Sequence, residues 1–459
     1  MEQIAKPHCG ARLDRLPDCR WHMSMFAMVA FGLLVCWSNA VGGLILAQLK
    51  ELGWTDNSTT ATFSAITTAG MFLGALGGGI IGDKTGRKNA FILYEAIHII
   101  SMIVGAFSPN MTFLIACRFV MGVGLGALLV TLFAGFTEYM PGRNRGTWSS
   151  RVSFIGNWSY PLCSLIAMGL TPLISAEWNW RVQLLIPAVL SLIATVTAWR
   201  SFPESPRWLE SRGRYQEAEQ VMRIIEEGVI RQTGKPLPPV VIDDDGKQPR
   251  SVPYSALLTG VLLKRVILGS FVLIAMNVVQ YTLINWLPTI FMTQGINLKD
   301  SIVLNTMSMF GAPFGIFIAM LVMDKIPRKI MGVGLLVLIA VLGYIYSLQT
   351  SMLLITLIGF FLITFVYMYV CYASAVYVPE IWPTEAKLRG SGLANAVGRI
   401  SGIAAPYAVA VLLSSYGVTG VFVLLGAVSI IVAVAIATIG IETKGVSVES
   451  LGIDAITSK

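Results

Sequence analysis

The chain alternates between apolar runs of about twenty residues and short polar interruptions from one end to the other. A helix rising 1.5 Å per residue needs roughly 20 apolar residues to cross a hydrocarbon layer, where each backbone N–H and C=O must find its partner inside the segment. The pattern predicts twelve such helices, at 25–49, 61–81, 89–107, 112–136, 150–174, 181–202, 266–290, 302–322, 330–348, 352–377, 390–414 and 418–441. The polar remainder is short. It predicts a tail over 1–24, a first six-helix bundle over 25–202, a linker over 203–264, a second bundle over 265–441 and a tail over 442–459. Within the linker, Tyr215, Ala218, Val221, Met222 and Ile225 recur at helical spacing among charges, which predicts an amphipathic helix. Pro236, Pro238 and Pro239, followed by Asp243 to Asp245, read as a flexible connection between the halves.

The polar interruptions repeat. Asp83-Lys84-Thr85-Gly86-Arg87-Lys88 returns as Asp324-Lys325-Ile326-Pro327-Arg328-Lys329, displaced by 241 positions (324 − 83). Glu138-x-x-Pro141 with Arg145-Gly146 returns as Glu380-x-x-Pro383 with Arg389-Gly390, displaced by 242 (380 − 138). Pro203-Glu204-Ser205-Pro206 is echoed by Glu442-Thr443-Lys444-Gly445, displaced by 238 (442 − 204). One half is therefore a diverged copy of the other, and duplicated hydrophobic halves point to a transporter.

Composition agrees with a membrane solvent. Charged residues make up 13% of the 459, apolar types 55%, and mean hydropathy is +0.71, beyond what a soluble core can bury. Lys and Arg concentrate in the loops after even-numbered spans, so the positive-inside rule places both termini in the cytoplasm. Topology alone then accounts for the net charge of +8, with no nucleic-acid partner implied. The first apolar run is too long for a signal segment and reads as a retained span. Cys36, Cys117, Cys163 and Cys371 fall in apolar runs, and no disulfide framework is expected. His8-Cys9 and Cys19-x-x-His22 fit no metal-ligand spacing and read as solvated tail residues, so no metal or cofactor is expected. Gly122-Val123-Gly124-Leu125-Gly126 lies inside a span with no preceding strand, which predicts close helix packing rather than a nucleotide loop. Gly70-x-x-x-Gly74-x-x-x-Gly78 and Gly398-x-x-x-Gly402 carry the same expectation.

Gly79-x-x-x-Asp83-Lys84-x-Gly86-Arg87-Lys88 resembles the loop signature of the major facilitator superfamily, and Arg118-x-x-x-Gly122-x-Gly124 resembles its fourth-helix motif. Glu138-x-x-Pro141-x-x-x-Arg145-Gly146, Pro203-Glu204-Ser205-Pro206-Arg207-Trp208-Leu209 and Pro379-Glu380-Ile381-Trp382-Pro383-Thr384 resemble the sugar-porter and metabolite:proton symporter branch. The resemblance spans the whole chain. It implies an all-α membrane fold of twelve helices in two six-helix bundles related by a pseudo-two-fold axis. It also implies bacterial inner-membrane transport of a metabolite. Ala275 and Met276 stand where sugar porters carry paired glutamines, and the Gly-Pro-x-x-Trp phrase of their tenth helix is absent, which disfavours a neutral hexose. In organic-anion carriers an arginine at the place of Arg399 is implicated in recognising the anion, so the resemblance implies a carboxylate substrate. A guanidinium fork matches a carboxylate in two hydrogen bonds. The alternative for Arg399 is helix packing or gating. Arg118 is implied to balance a proton-carrying group, although its usual first-helix aspartate is missing from Trp37-Ser38-Asn39.

The residues themselves add candidates. Glu95 and His98 sit three apart in the third span, hence on one face, and either can titrate; the alternative for Glu95 is a structural buried carboxyl. Asn157 and Tyr160 in the fifth span, with Asn277, Gln280, Tyr281 and Asn285 in the seventh, offer donors and acceptors beside aromatic faces at mid-span. Asp83, Arg87, Glu138 and Arg145, with Asp324, Arg328, Glu380 and Arg389, lie at cytoplasmic helix ends, where ion pairs made in one state and broken in another would gate the inner side. The alternative is that they only set topology. The expectation is a secondary active transporter, monomeric, taking up a small polar organic acid with protons. Uniport, export, a sugar substrate and a transporter-like sensor are the rivals. No nucleophile, metal or acid–base constellation suggests an enzyme.

Overall fold

The computed structural model describes residues 7–17, 19–35, 39–141, 145–240, 254–323, 325–382 and 386–444. Every regular element among them is helical. The first span is built from Arg20–Val35 and Gly42–Glu51, and the fifth from Arg145–Asn157 and Ser159–Leu170. Asn57–Thr85, Arg87–Ala106, Met111–Tyr139 and Ala176–Ser201 form the second, third, fourth and sixth. In the second half, Gly260–Thr293 is the seventh span, Leu298–Met309 with Gly311–Val322 the eighth, and Arg328–Ser347 the ninth. The tenth runs as Met352–Cys371 into a π-turn at Tyr372–Tyr377, just ahead of Pro379. Lys387–Ile439 carries the last two, and its chain reverses at Gly417, where φ of 64° suits a residue without a Cβ. Asn110 and Asn297 start their helices by accepting N–H bonds from Phe113 and Asp300, each at 2.9 Å.

The duplication is built into the packing. Gly70 and Gly74 let the second span lie directly on the fourth, where a Cβ would strike the carbonyls of Phe119 and Val123. The same contact returns 241 positions later: Gly311 and Gly315 face the carbonyls of Phe360 and Thr364. Gly126 presses on Met71 and Gly124 on His98, so the glycine run of the fourth span serves close packing, as its place inside a span predicts.

Two compact units emerge, and they cut across the division at the linker. One comprises Met1–Asn39, Gly70–Ser159 and Leu184–Gly246; the other comprises Ala40–Ala69, Tyr160–Gln183 and Lys247–Lys459. The second unit thus joins segments of the first half to the whole second half, at the end of the spans poor in Lys and Arg. Gly43 is the reason at one point. It lies 241 positions before Ile284, and without a side chain its helix rests on the Ile284 carbonyl. Ser164 Oγ accepts from Asn305 Nδ2 at 3.1 Å, and Asn57 Nδ2 donates to Ser414 Oγ at 2.9 Å. Spans one and seven, five and eight, and two and eleven are pinned together there.

The tail and linker differ from expectation. Cys9 and His22 are fully buried rather than solvated; Cys9 is buried because its short helix, Cys9–Asp14, lies on the linker helices Pro206–Ser211 and Tyr215–Thr233. The predicted amphipathic helix is present, and its buried face is Ala218, Met222, Ile225 and Val229. The acidic stretch from Asp243 to Asp245 lies outside the described residues.

Candidate functional site

At the basic ends of the spans the repeated charges form two matching clusters, each inside one unit. Arg87 pairs with Asp83 at 2.6 Å and with Glu138 at 2.8 Å. Arg328 pairs with Glu380 through Nε at 3.0 Å and Nη2 at 3.1 Å, and its Nη1 donates to the Met323 carbonyl. A further carboxylate completes each cluster. Glu204 Oε1 accepts the backbone N–H groups of Arg87 at 2.8 Å and Lys88 at 3.2 Å, which caps the third span. Glu442 does the same for the ninth, accepting from Arg328 at 2.8 Å and Lys329 at 3.1 Å. A carboxylate there meets the positive end of the helix dipole. Burial pushes the Glu204 carboxyl up against the pull of the Ser205, Lys88 and Arg87 N–H groups. Glu442 is less enclosed; the N–H groups of Arg328, Lys329 and Lys444 outweigh its burial and hold it below the ordinary carboxyl range. Sequence reasoning noted the echo between Glu204 and Glu442 but assigned neither a role. Asp324 and the Arg145 side chain lie outside the described residues, and Arg389 is half-buried at the start of the eleventh span.

Deeper in the second unit, the seventh and eleventh spans touch beside Arg399. Gly398 faces Leu273 and the Asn277 amide, and Gly402 faces the Tyr281 ring and Thr68. Arg399 Nη1 is buried and has no acceptor among the described residues. Leaving a charged donor so costs about 3 kcal/mol or more, which a bound anion would relieve. Tyr160 meets Tyr367 edge to face with ring centroids 5.3 Å apart, and Gln280 borders the Tyr367 phenol. Tyr281 connects these groups, since it follows Gln280 and touches the eleventh span. Tyr367 was not among the sequence candidates; an aromatic in a run as apolar as the tenth span carries no signal by itself. Asn277 and Asn157 spend their amides on carbonyls of their own helices, Leu273 at 2.7 Å and Ser153 at 2.8 Å. Asn285 is buried where Gly43 closes on the seventh span. Asn157 belongs to the first compact unit and the other polar candidates to the second.

In the first unit, Glu95 and His98 are both fully buried, with Oε2 and Nδ1 3.5 Å apart. Neither Glu95 oxygen accepts a hydrogen bond among the described residues. Arg118 is buried too, and its Nη1 reaches Met121 Sδ at 3.7 Å. Arg118 does not meet Glu95. Gly105 lies against Cys117 and Gly124 against His98, so the antiparallel spans set the two residues about nine positions, or ~13 Å, apart along the axis.

Residues 26–406 match the family model described as Major Facilitator Superfamily. The chain belongs to that superfamily. It is 94% identical, over the full length of both chains, to YdjK of Escherichia coli strain K12, whose name proposes metabolite transport. It is 43% identical to the same strain's inner membrane metabolite transport protein YdjE, over 96% of this chain and 98% of that one. The xylose transporter XylE from E. coli, in a partially occluded inward open conformation, superimposes with a TM-score of 0.73 at 18% identity, over 93% of this chain and all of that one. The fold is the major facilitator fold of twelve helices in two bundles, and the protein is a membrane transporter rather than an enzyme.

Proposed function

We propose that the protein is a proton-coupled secondary transporter that carries a small polar organic acid, such as a sugar acid, across the bacterial inner membrane by alternating access, as a monomer with both termini cytoplasmic. The observation that carries the substrate class is Arg399: a buried guanidinium nitrogen without an acceptor, on the eleventh span beside Asn277 and Tyr281. Its fork suits a carboxylate. Tyr160, Tyr281, Gln280 and Asn285, with Tyr367, supply hydroxyl and amide groups for the rest of a polar substrate; Asn157, in the other unit, remains a separate candidate by residue type alone. Glu95 and His98 are the proton-binding pair, supported by their burial and 3.5 Å separation, with Arg118 as a fixed positive charge in the same bundle. The ion pairs of Arg87 with Asp83 and Glu138 and of Arg328 with Glu380, together with Arg145, Asp324 and Arg389 by their place in the repeat, gate the cytoplasmic side by being made in one state and broken in another. Membrane assignment is supported by YdjE, named for the inner membrane, and coupling by XylE, one structure of which is named a proton:xylose symporter.

The test is uptake of a labelled panel of sugar acids, aromatic acids and neutral sugars into proteoliposomes, with and without an inward proton gradient. Gradient-driven accumulation of an acid is expected. Equilibration without accumulation would sink symport, and a preference for neutral sugars would sink the carboxylate contact.

A further inference from the structure

The N-terminal tail is tied down by more specific contacts than a passive leader requires. Arg12 places Nε and Nη2 on the two Glu226 oxygens at 3.0 and 2.7 Å and Nη1 on Glu219, a fork spanning two turns of the linker helix Tyr215–Thr233. Arg15 adds a second cation to Glu226 at 2.7 Å and bonds the Pro238 carbonyl at 2.8 Å. In the other direction, Arg207 of the linker reaches Asp14 at 2.9 Å, and Glu210 accepts the Cys9 backbone N–H at 2.7 Å. Beneath the charges, Cys9, Leu13 and Leu16 are wholly buried against Leu209, Ala218, Met222, Ile225 and Val229. The linker's far side is fixed as firmly. Trp208 Nε1 and Arg212 Nη2 both donate to the Asp83 carbonyl, at 2.7 and 2.5 Å, and Glu204 caps the third span. The tail thus lies on one side of the linker helices and the repeated charged loop on the other.

We infer that residues 8–16 are an intramolecular clasp: by docking on the linker helices they hold Trp208 and Arg212 on the Asp83 carbonyl, and so set the turnover of the cytoplasmic gate. The docked partner is a segment of this chain, held through three arginines, four carboxylates and a buried apolar strip. Opening the clasp bares the apolar face of Tyr215–Thr233 and loosens the linker's hold on the loop. The inference concerns the gate and does not depend on what is carried.

Cys9 reports the clasp directly, since it lies within it, wholly buried against the linker helices, and burial, together with Glu210, pushes its thiol up to about 12. In protein whose other cysteines are replaced, N-ethylmaleimide is expected to label Cys9 slowly in the parent and at least tenfold faster in Arg12→Glu and in Leu13→Ser. Arg12→Lys keeps the charge without the fork and should fall between. The same variants should lower the maximal uptake rate at least fivefold with KM unchanged, for whichever panel member the parent accumulates. Slow labelling in both disrupting variants would overturn the clasp, and fast labelling with full uptake would overturn its link to the gate. Size-exclusion elution at the parent volume confirms that each variant is folded.

Discussion

Glu442 accepts the backbone N–H of Arg328 at 2.8 Å, the counterpart of Glu204 on Arg87 at the same distance. Each carboxylate belongs to an arginine cluster and caps the helix that the arginine begins. Replacing Glu442 with glutamine removes the charge that meets the helix dipole, and about 1 kcal/mol of stability should go with it near neutral pH. A drop in the thermal midpoint of purified protein reads this directly.

The two caps should respond to pH with opposite sign. Glu442 is held below the ordinary carboxyl range, so its contribution is full above the unfolded value of about 4.3 and is lost as pH falls through the folded one. Glu204 is pushed up, so its contribution is full below that unfolded value and shrinks as pH rises through the raised one. Midpoints measured from pH 4 to 7 should show the gap between parent and Glu442→Gln narrowing on acidification and the gap for Glu204→Gln widening. Parallel profiles would contradict the difference in their surroundings.

Gly43 should be intolerant of any side chain. A Cβ there meets the Ile284 carbonyl, which belongs to backbone and cannot turn aside. Gly43→Val should therefore keep the first and seventh spans from closing at the sparsely charged end, and uptake should fall at least tenfold. The geometry offers a reporter: Asn57 and Ser414 touch at 2.9 Å, so Asn57→Cys with Ser414→Cys should be joined by a short bifunctional thiol reagent. The yield should drop several-fold when Gly43→Val is added.

Spans, repeat and close-packing glycines were all legible in the sequence, because each leaves a local mark: a run length, an offset, a four-residue spacing. Gly311 and Gly315 were legible too, lying 241 positions after Gly70 and Gly74, although only the first pair was singled out. The clasp was not. Arg12 and Glu219 lie 207 positions apart, and a six-residue helix is too short for its periodicity to stand out. Nor could spacing show that Arg118 and Glu95 face different levels of the bundle. That depends on how two antiparallel helices are staggered, which the contacts of Gly105 and Gly124 decide. Asn157 shows a further limit: residue type marks a polar side chain, but not that its amide is bonded to the Ser153 carbonyl.

Arg399→Lys should separate charge from geometry. Lysine keeps the positive charge but offers a single ammonium in place of two parallel N–H donors. The expected result is a KM for the accumulated acid at least tenfold higher, with little change in maximal rate, and a larger loss in Arg399→Gln. Tenfold corresponds to about 1.4 kcal/mol, within the range for one charge-assisted hydrogen bond. An unchanged KM in both variants would remove Arg399 from the substrate's contacts.

Glu95→Gln addresses coupling. Glutamine has nearly the same volume but cannot release a proton, so it fixes the site in a state resembling the protonated carboxyl. Because no described residue donates a hydrogen bond to either Glu95 oxygen, an ionised carboxylate there relies on His98, 3.5 Å away, for its stabilisation. On the proposed coupling, one proton per cycle enters and leaves through this carboxyl. The variant should therefore still exchange internal for external substrate, which needs only the loaded carrier, while accumulation driven by a proton gradient disappears. His98→Gln should weaken accumulation less, since it removes the neighbour and leaves the carboxyl. If Glu95→Gln accumulates substrate as the parent does, the pair is structural and the proton binds elsewhere.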